Sequence, residues 1–316
     1  MSFKVSSSNF WIGSILCIAL IQMGCAVSLS KFDELTMATN SSEQVAPTTT
    51  NTLDFDEIVL PASEYMQLLR TFSKAQSNEL VPFPLPIEIE EFRELGVIVP
   101  HHLVASDALS SLFSAIKSFE PEIIVLLSPN HQATIKNPVS SRLEHIHVFN
   151  KTYTLSPLIL KLAQKKLLAL NRELFKVEHG IYSILPFIGE NDWDVPIIPL
   201  VMARNVTRVQ VDDLILELRE NLKDMRILWI ASIDFSHYLP AAAATLKDHQ
   251  TMEWISTRDF SAIENSTSDH LDAPSALIFW LKLFTNDHQL WHSNSAEILG
   301  GGYHEPGTSY MIYIGY

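Results

Sequence analysis

Cysteine is nearly missing from this chain of 316 residues: there are two, Cys17 and Cys25, both close to the N-terminus. Beyond them the chain has no disulfide framework and no thiolate to act as nucleophile or metal ligand, so such roles must fall to other side chains. Basic residues are scarce as well, with 22 Lys and Arg against 36 Asp and Glu and a net charge of −14. No positive surplus exists to displace counterions from a phosphate backbone, which argues against a nucleic-acid partner. Several motifs are missing too: there is no HExxH, no GxSxG, no P-loop and no GxGxxG. Their absence removes the helix-borne zinc hydrolase, the nucleophile elbow and the nucleotide cradle. The "GGG" at residues 300–302 has no strand-then-helix setting and reads as a loop.

Charge is absent from residues 5–30, where "FWIGSILCIALI" follows a short segment whose only side-chain charge is Lys4. That layout predicts a secretory signal peptide with small residues near Cys25, a lipidated Cys25, or an uncleaved membrane anchor. Each version places the body of the protein outside the cytosol, with membrane contact only through this segment. We expect residues 1–26 to be the leader or anchor, residues 27–54 a Ser/Thr-rich tether, and residues 55–316 the folded domain.

What is present is a large apolar fraction, 47%, enough for a substantial core. From residue 96 onward, continuous β-rich runs alternate with amphipathic stretches. "GVIVP", "EIIVLLSP", "VPIIPLVMA" and "MRILWIAS" read as strands covered on both faces, and "GTSYMIYIG" as one more that closes the domain. "DALSSLFSAIKSF", "SPLILKLAQKKLLAL" and "VDDLILELRENL" carry apolar residues at helical spacing. The alternation predicts a three-layer α/β/α sandwich with a mostly parallel central sheet.

In such sheets ligands gather beyond the carboxyl ends of the strands. Three runs deliver histidine there: "GVIVP" is followed by His101 and His102, "EIIVLLSP" by Asn130 and His131, and "MRILWIAS" by Asp234, Ser236 and His237. "VEHGIYSILPFI" adds Glu178 and His179. A single strand-end imidazole is ordinarily a surface or capping residue. Three at equivalent places suit a divalent metal or acid–base chemistry.

The succession "VPHH", "LLSPNH", "VEHGIYSILPFI", "IIPLVMA" and "ASIDFSHYLP" resembles the Memo family, including the bacterial proteins called AmmeMemoRadiSam system protein B. The resemblance implies a fold like the class III extradiol dioxygenases and a site for non-haem iron, with copper or zinc as alternatives. It also implies His101 and His131 as imidazole ligands, Asp234 and His237 as pocket acid/base groups or further ligands, and Glu178 and His179 as the pocket wall, orienting a ligand. The family pattern departs here in two places. Asn130 and Gln132 flank His131 in "PNHQ", and the family's late Cys-Gly loop is replaced by "DHLDAPSALIFWL", where Asp272, with His270 behind it, stands nearest. Asp272 could be a third metal ligand or merely the N-cap of the following helix.

Three functions remain open. One is a metal-dependent, dioxygenase-like oxidoreductase. Another is a metal-free protein that uses the strand-end cleft for a small-molecule or peptide ligand. The third is metal-independent hydrolysis through Ser236 and His237, which their placement on one loop disfavours.

Overall fold

Strands whose residues are all apolar must be covered on both sides, and the five longest apolar runs meet that demand as one sheet. The computed structural model describes residues 56–58, 70–71, 73–74, 80–132, 137–149, 151–301 and 306–316. The expected leader (1–26) and tether (27–54) therefore lie outside the described residues.

The strands are β1 (Asp56–Ile58), β2 (Glu94–Val99), β3 (Ile123–Pro129), β4 (Val139–Ser141), β5 (Ile146–Val148), β6 (Lys151–Tyr153), β7 (Ala169–Leu170), β8 (Ile197–Met202), β9 (Ile227–Ser232), β10 (Asp287–Asn294) and β11 (Ser309–Gly315). The helices are α1 (Ser106–Ala115), α2 (Leu158–Gln164), α3 (Arg172–Phe175), α4 (His179–Tyr182), α5 (Leu185–Glu190), α6 (Arg208–Leu222), α7 (Ala241–Thr257), α8 (Phe260–Glu264), α9 (Pro274–Leu283) and α10 (Ser295–Ile298). Eight strands form the main sheet in the order β10-β11-β2-β9-β3-β8-β4-β7, and β1, β5 and β6 form a small separate one. At the centre β2, β9, β3 and β8 run parallel. The antiparallel pairs sit to either side, where β11 joins β2 and β10 on one flank and β4 joins β8 on the other. The result is the mixed α/β fold with a large, mostly parallel sheet flanked by helices that the alternation predicts.

Every residue of β3, β8, β9 and β11 is buried. Helix α9 is buried on nearly all sides and packs on β9 and β3. Its seat depends on Gly96 in β2: a Cβ there would stand 2.2 Å from Phe284 Cε2, so only glycine lets the ring lie flat on the strand. The long helix α6 begins with a full capping box, Thr207 accepting from Gln210 N and Gln210 answering to Thr207 N.

One expectation needs correction, and one strand was not anticipated. "SPLILKLAQKKLLAL" does not stay helical to residue 170. The chain leaves α2 through a Schellman turn, with Lys166 at φ 61 and Leu167 N donating to Leu162 O, and Ala169–Leu170 then pairs with β4. β10, "DHQLWHSN", is a polar edge strand that no apolar run announces.

Because β2, β3 and β9 are parallel neighbours, their C-terminal ends emerge on the same side. His101, His131 and Asp234 are thereby delivered to one crevice. The loop after β9 is stitched on both sides, Ile233 N to Val99 O and Phe235 N to Ser309 O, so the acid it carries is held rigidly.

Candidate metal centre

His101 is buried at the end of β2. Its Nδ1 lies 3.1 Å from Ser232 Oγ and its backbone N donates to Asp234 Oδ1 at 3.1 Å. With Nδ1 so engaged, Nε2 faces the crevice, 3.2 Å from Asp272 Oδ2. His131 is arranged in the same way by Glu178, whose Oε1 lies 2.7 Å from Nδ1 and whose Oε2 accepts from the backbone N at 3.0 Å. Nε2 of His131 then lies 3.6 Å from Asp272 Oδ2. A carboxylate on the far nitrogen fixes the ring, and a hydrogen on Nδ1 leaves a lone pair on Nε2.

Glu178 is fully buried. It caps α4 by accepting from Gly180 N at 3.0 Å, and a Cβ on Gly180 would stand 2.3 Å from Ser128 Oγ, so glycine is what lets this turn approach the end of β3. The residue after the cap is His179. Its ring stacks on His131 at 4.1 Å between centroids and meets His101 edge-on at 5.1 Å. One nitrogen each from His101, His131 and His179 lie within 4.8 Å of one another, a set able to hold a metal ion.

Asp272 does not cap the following helix. The N-cap of α9 is Ala273, which makes no side-chain cap bond. Asp272 Oδ1 instead accepts from Asp234 N at 3.2 Å, while Oδ2 faces the two imidazoles. Arg204, from the end of β8, steadies this loop by donating to Leu271 O at 2.9 Å and Asp272 O at 3.4 Å. His270, the alternative ligand nearby, belongs elsewhere: its ring neighbours are Lys247, Gln250 and Trp254.

His101 Nε2 and Asp272 Oδ2 are both buried without a satisfactory hydrogen-bond partner. That is costly for polar atoms unless something satisfies them. An ion about 2.1 Å from each of four ligands separates neighbouring ligand atoms by roughly 3.4 Å, and 3.2 and 3.6 Å bracket that figure. The residues present fit a small divalent cation.

The electrostatics set which of these groups carries a proton in the metal-free site. Burial pulls the His179 ring down to about 3, helped by the neighbouring His101 and His131, so it is a neutral imidazole at pH 7. Burial also opposes charge on His131, but Asp272 and Glu178 outweigh it and push this ring up to about 10. Burial would raise Asp272, yet His101 and His131 hold its carboxyl far below the usual range. Glu178 is likewise lowered by His131 against its burial.

Beside the cluster stands a second acid–imidazole pair. Asp234, fully buried, has Oδ2 2.7 Å from His102 Nδ1 and 3.6 Å from His101 Nε2. Burial opposes its charge, but His101 and His102 lower its carboxyl. His102 is raised by Asp234 in spite of burial. His237 sits 6.5 Å from His102, ring to ring, with a buried Nδ1 that has no partner. Ser236 is buried and its Oγ pairs with Ser309 Oγ at 2.9 Å, so the hydroxyl engages β11 rather than a base.

The crevice thus joins His101, His131 and Asp272, sets Asp234 and His237 beside them, and places Glu178 behind His131. Two contributions exceed the sequence reading. His179, expected in the pocket wall, takes a place among the metal-capable imidazoles, and His102 pairs with Asp234. The "EHG" turn was the available signal for the first, since adjacent residues at a helix start can face opposite sides of a site.

Residues 63–271 match a family model described as Memo-like protein. A MEMO1 family protein of Pyrobaculum aerophilum is 27% identical over 202 residues, covering 60% of this chain and 69% of that protein. One from Thermoplasma acidophilum is 24% identical over 250 residues, covering 70% and 86%. An uncharacterized protein of Escherichia coli K12 aligns in structure over 70% of this chain and 99% of its own, with 14% identity and a TM-score of 0.45.

Proposed function

Because the chain belongs to the Memo-like protein family, we propose that it is a metal-binding protein with one mononuclear site and the chemistry of a non-haem oxidoreductase. His101, His131 and His179 would hold the ion, with Asp272 as the carboxylate in place of a thiolate. Three imidazoles and a carboxylate suit iron, copper or zinc, and the resemblance to the class III extradiol dioxygenases favours iron. When bound, such an ion supplies Lewis-acid polarisation and, if iron, a redox partner for oxygen.

The remaining roles fall to the chain itself. Glu178 and Ser232 hold two imidazoles with Nε2 facing the crevice. Asp234 and His102 form a pair able to accept or return a proton at His102, and His237 offers a second nitrogen nearby. A small-molecule or peptide ligand would enter over the partly open His131 and the exposed Tyr238. The uncharged N-terminal segment adds an extracytoplasmic location to the proposal, on sequence grounds alone. Among the described residues, no helix is long and apolar enough to cross a membrane.

The observation that carries this reading is the convergence of one nitrogen each from His101, His131 and His179, with the buried Asp272 Oδ2 3.2 Å from His101 Nε2. Elemental analysis of purified protein tests it against the His101→Ala, His131→Ala double variant. We expect close to one ion per wild-type chain and almost none in the variant. Equal content in both would leave the metal-free binding protein as the better description.

A further inference from the structure

A pocket separate from the imidazole cluster opens between α7, β10, α10 and the start of β11. Its volume is about 380 Å³, within the range that takes a small organic molecule. Asp248 of α7 lines it and is only 1% exposed. One oxygen, Oδ2, lies 3.0 Å from His292 Nε2. The other, Oδ1, is buried with no hydrogen-bond partner. Leaving half of a buried carboxylate unsatisfied is expensive, and a cationic donor is the group that relieves it best.

The rest of the lining selects the kind of donor. Glu297 adds a second carboxylate, while no lysine or arginine lines the pocket among the described residues. Ala241 and Ala296 present methyl groups, and Thr245 turns its hydroxyl back to Ala241 O. The sign is negative and part of the wall is apolar. A bare metal ion fits poorly: Asp248, His292 and Glu297 do not bring their ligand atoms together as the three imidazoles do. An ion could therefore not be chelated there without rearrangement, whereas an ammonium on a carbon chain can meet Asp248 and cover the alanines together.

We propose that this pocket binds a small organic ammonium, its nitrogen donating to Asp248 and its hydrocarbon part lying against Ala241 and Ala296. The site is independent of the metal reading, although its wall touches the other site's loop through the Ser309–Ser236 hydroxyl pair. Calorimetric or ligand-observed NMR titration of the full chain with n-butylammonium and with the neutral n-butanol tests it, in wild type, Asp248→Asn and Ala296→Leu. Wild type is expected to bind butylammonium saturably at millimolar concentration and at least tenfold more tightly than butanol. Asp248→Asn should abolish that preference, and Ala296→Leu, which fills the pocket and leaves the acid in place, should weaken butylammonium binding. Absence of saturable butylammonium binding by wild type, equal affinity for the alcohol, a preference that survives in folded Asp248→Asn, or undiminished butylammonium binding by folded Ala296→Leu would overturn the proposal. The comparison of the two ligands in wild type decides even if Asp248→Asn fails to fold.

Discussion

Metal affinity should rise with pH, because one ligand must lose a proton first. In the metal-free protein the His131 ring is pushed up to about 10 by Asp272 and Glu178 in spite of burial, so at pH 7 it is an imidazolium. An ion can bind Nε2 only after that proton leaves. His179, at about 3, has no proton to give, and Asp272 is already ionised. Holding His131 about three units above the working pH corresponds to about 4 kcal/mol of opposing free energy. The side chain is 26% exposed, so solvent screening reduces this to about 2–4 kcal/mol. Affinity should therefore climb close to tenfold per pH unit from pH 7 to 9 and level off as pH approaches 10. Calorimetry in buffers of different ionisation enthalpy should count about one proton released per ion at pH 7. A pH-independent affinity with no proton release would refute the assignment of His131 as a ligand.

Glu178→Gln keeps a capping oxygen for Gly180 but removes the charge behind His131; near pH 10, where the His131 proton no longer competes, it should weaken metal binding about 10- to 100-fold, read by chelator competition. Arg204→Ala frees the carbonyls of Leu271 and Asp272 and should loosen the Asp272 loop, so metal affinity should fall further than in Arg208→Ala, a surface control. Gly96→Ala drives a methyl into the Phe284 ring and should cost about 1–3 kcal/mol in urea denaturation; an unchanged midpoint would contradict the packing described. The acid limb of stability should also be steep. Asp272 is held well below its unfolded value near 3.9, so its contribution is present above that value and fades as pH falls below it. Asp272→Asn should flatten the loss of melting temperature below pH 4 in the metal-free protein.

Much of the central sheet was legible because uniform burial leaves a uniform signature. "EIIVLLSP", "VPIIPLVMA" and "MRILWIAS" are apolar throughout, and as β3, β8 and β9 they are covered on both faces. The edge was not legible: β10 has partly exposed residues along its length and carries the polar pattern of a loop. Helix α7 leaves little trace in the sequence for a related reason, since its apolar residues form no clear stripe and its buried positions include Asp248 and Thr251. At the site, strand-end placement pointed to His101, His131 and Asp234, because parallel topology alone brings such ends together. Whether Asp272 capped a helix or faced the crevice depended on a backbone bond to Asp234 that spans 38 positions, and local sequence holds no trace of such a bond. The division of work in "EHG", with Glu178 behind His131 and His179 stacked on it, likewise exists only once β3 and α4 are in contact.

The proposed function puts one ion where three imidazoles and Asp272 converge. The most direct measurement is an anomalous difference map from crystals grown with ferrous iron under anaerobic conditions. A single strong peak is expected about 2.0–2.3 Å from His101 Nε2 and His131 Nε2, with His179 and Asp272 completing its contacts. A map with no peak there, or with its only peak away from His101 and His131, would contradict it.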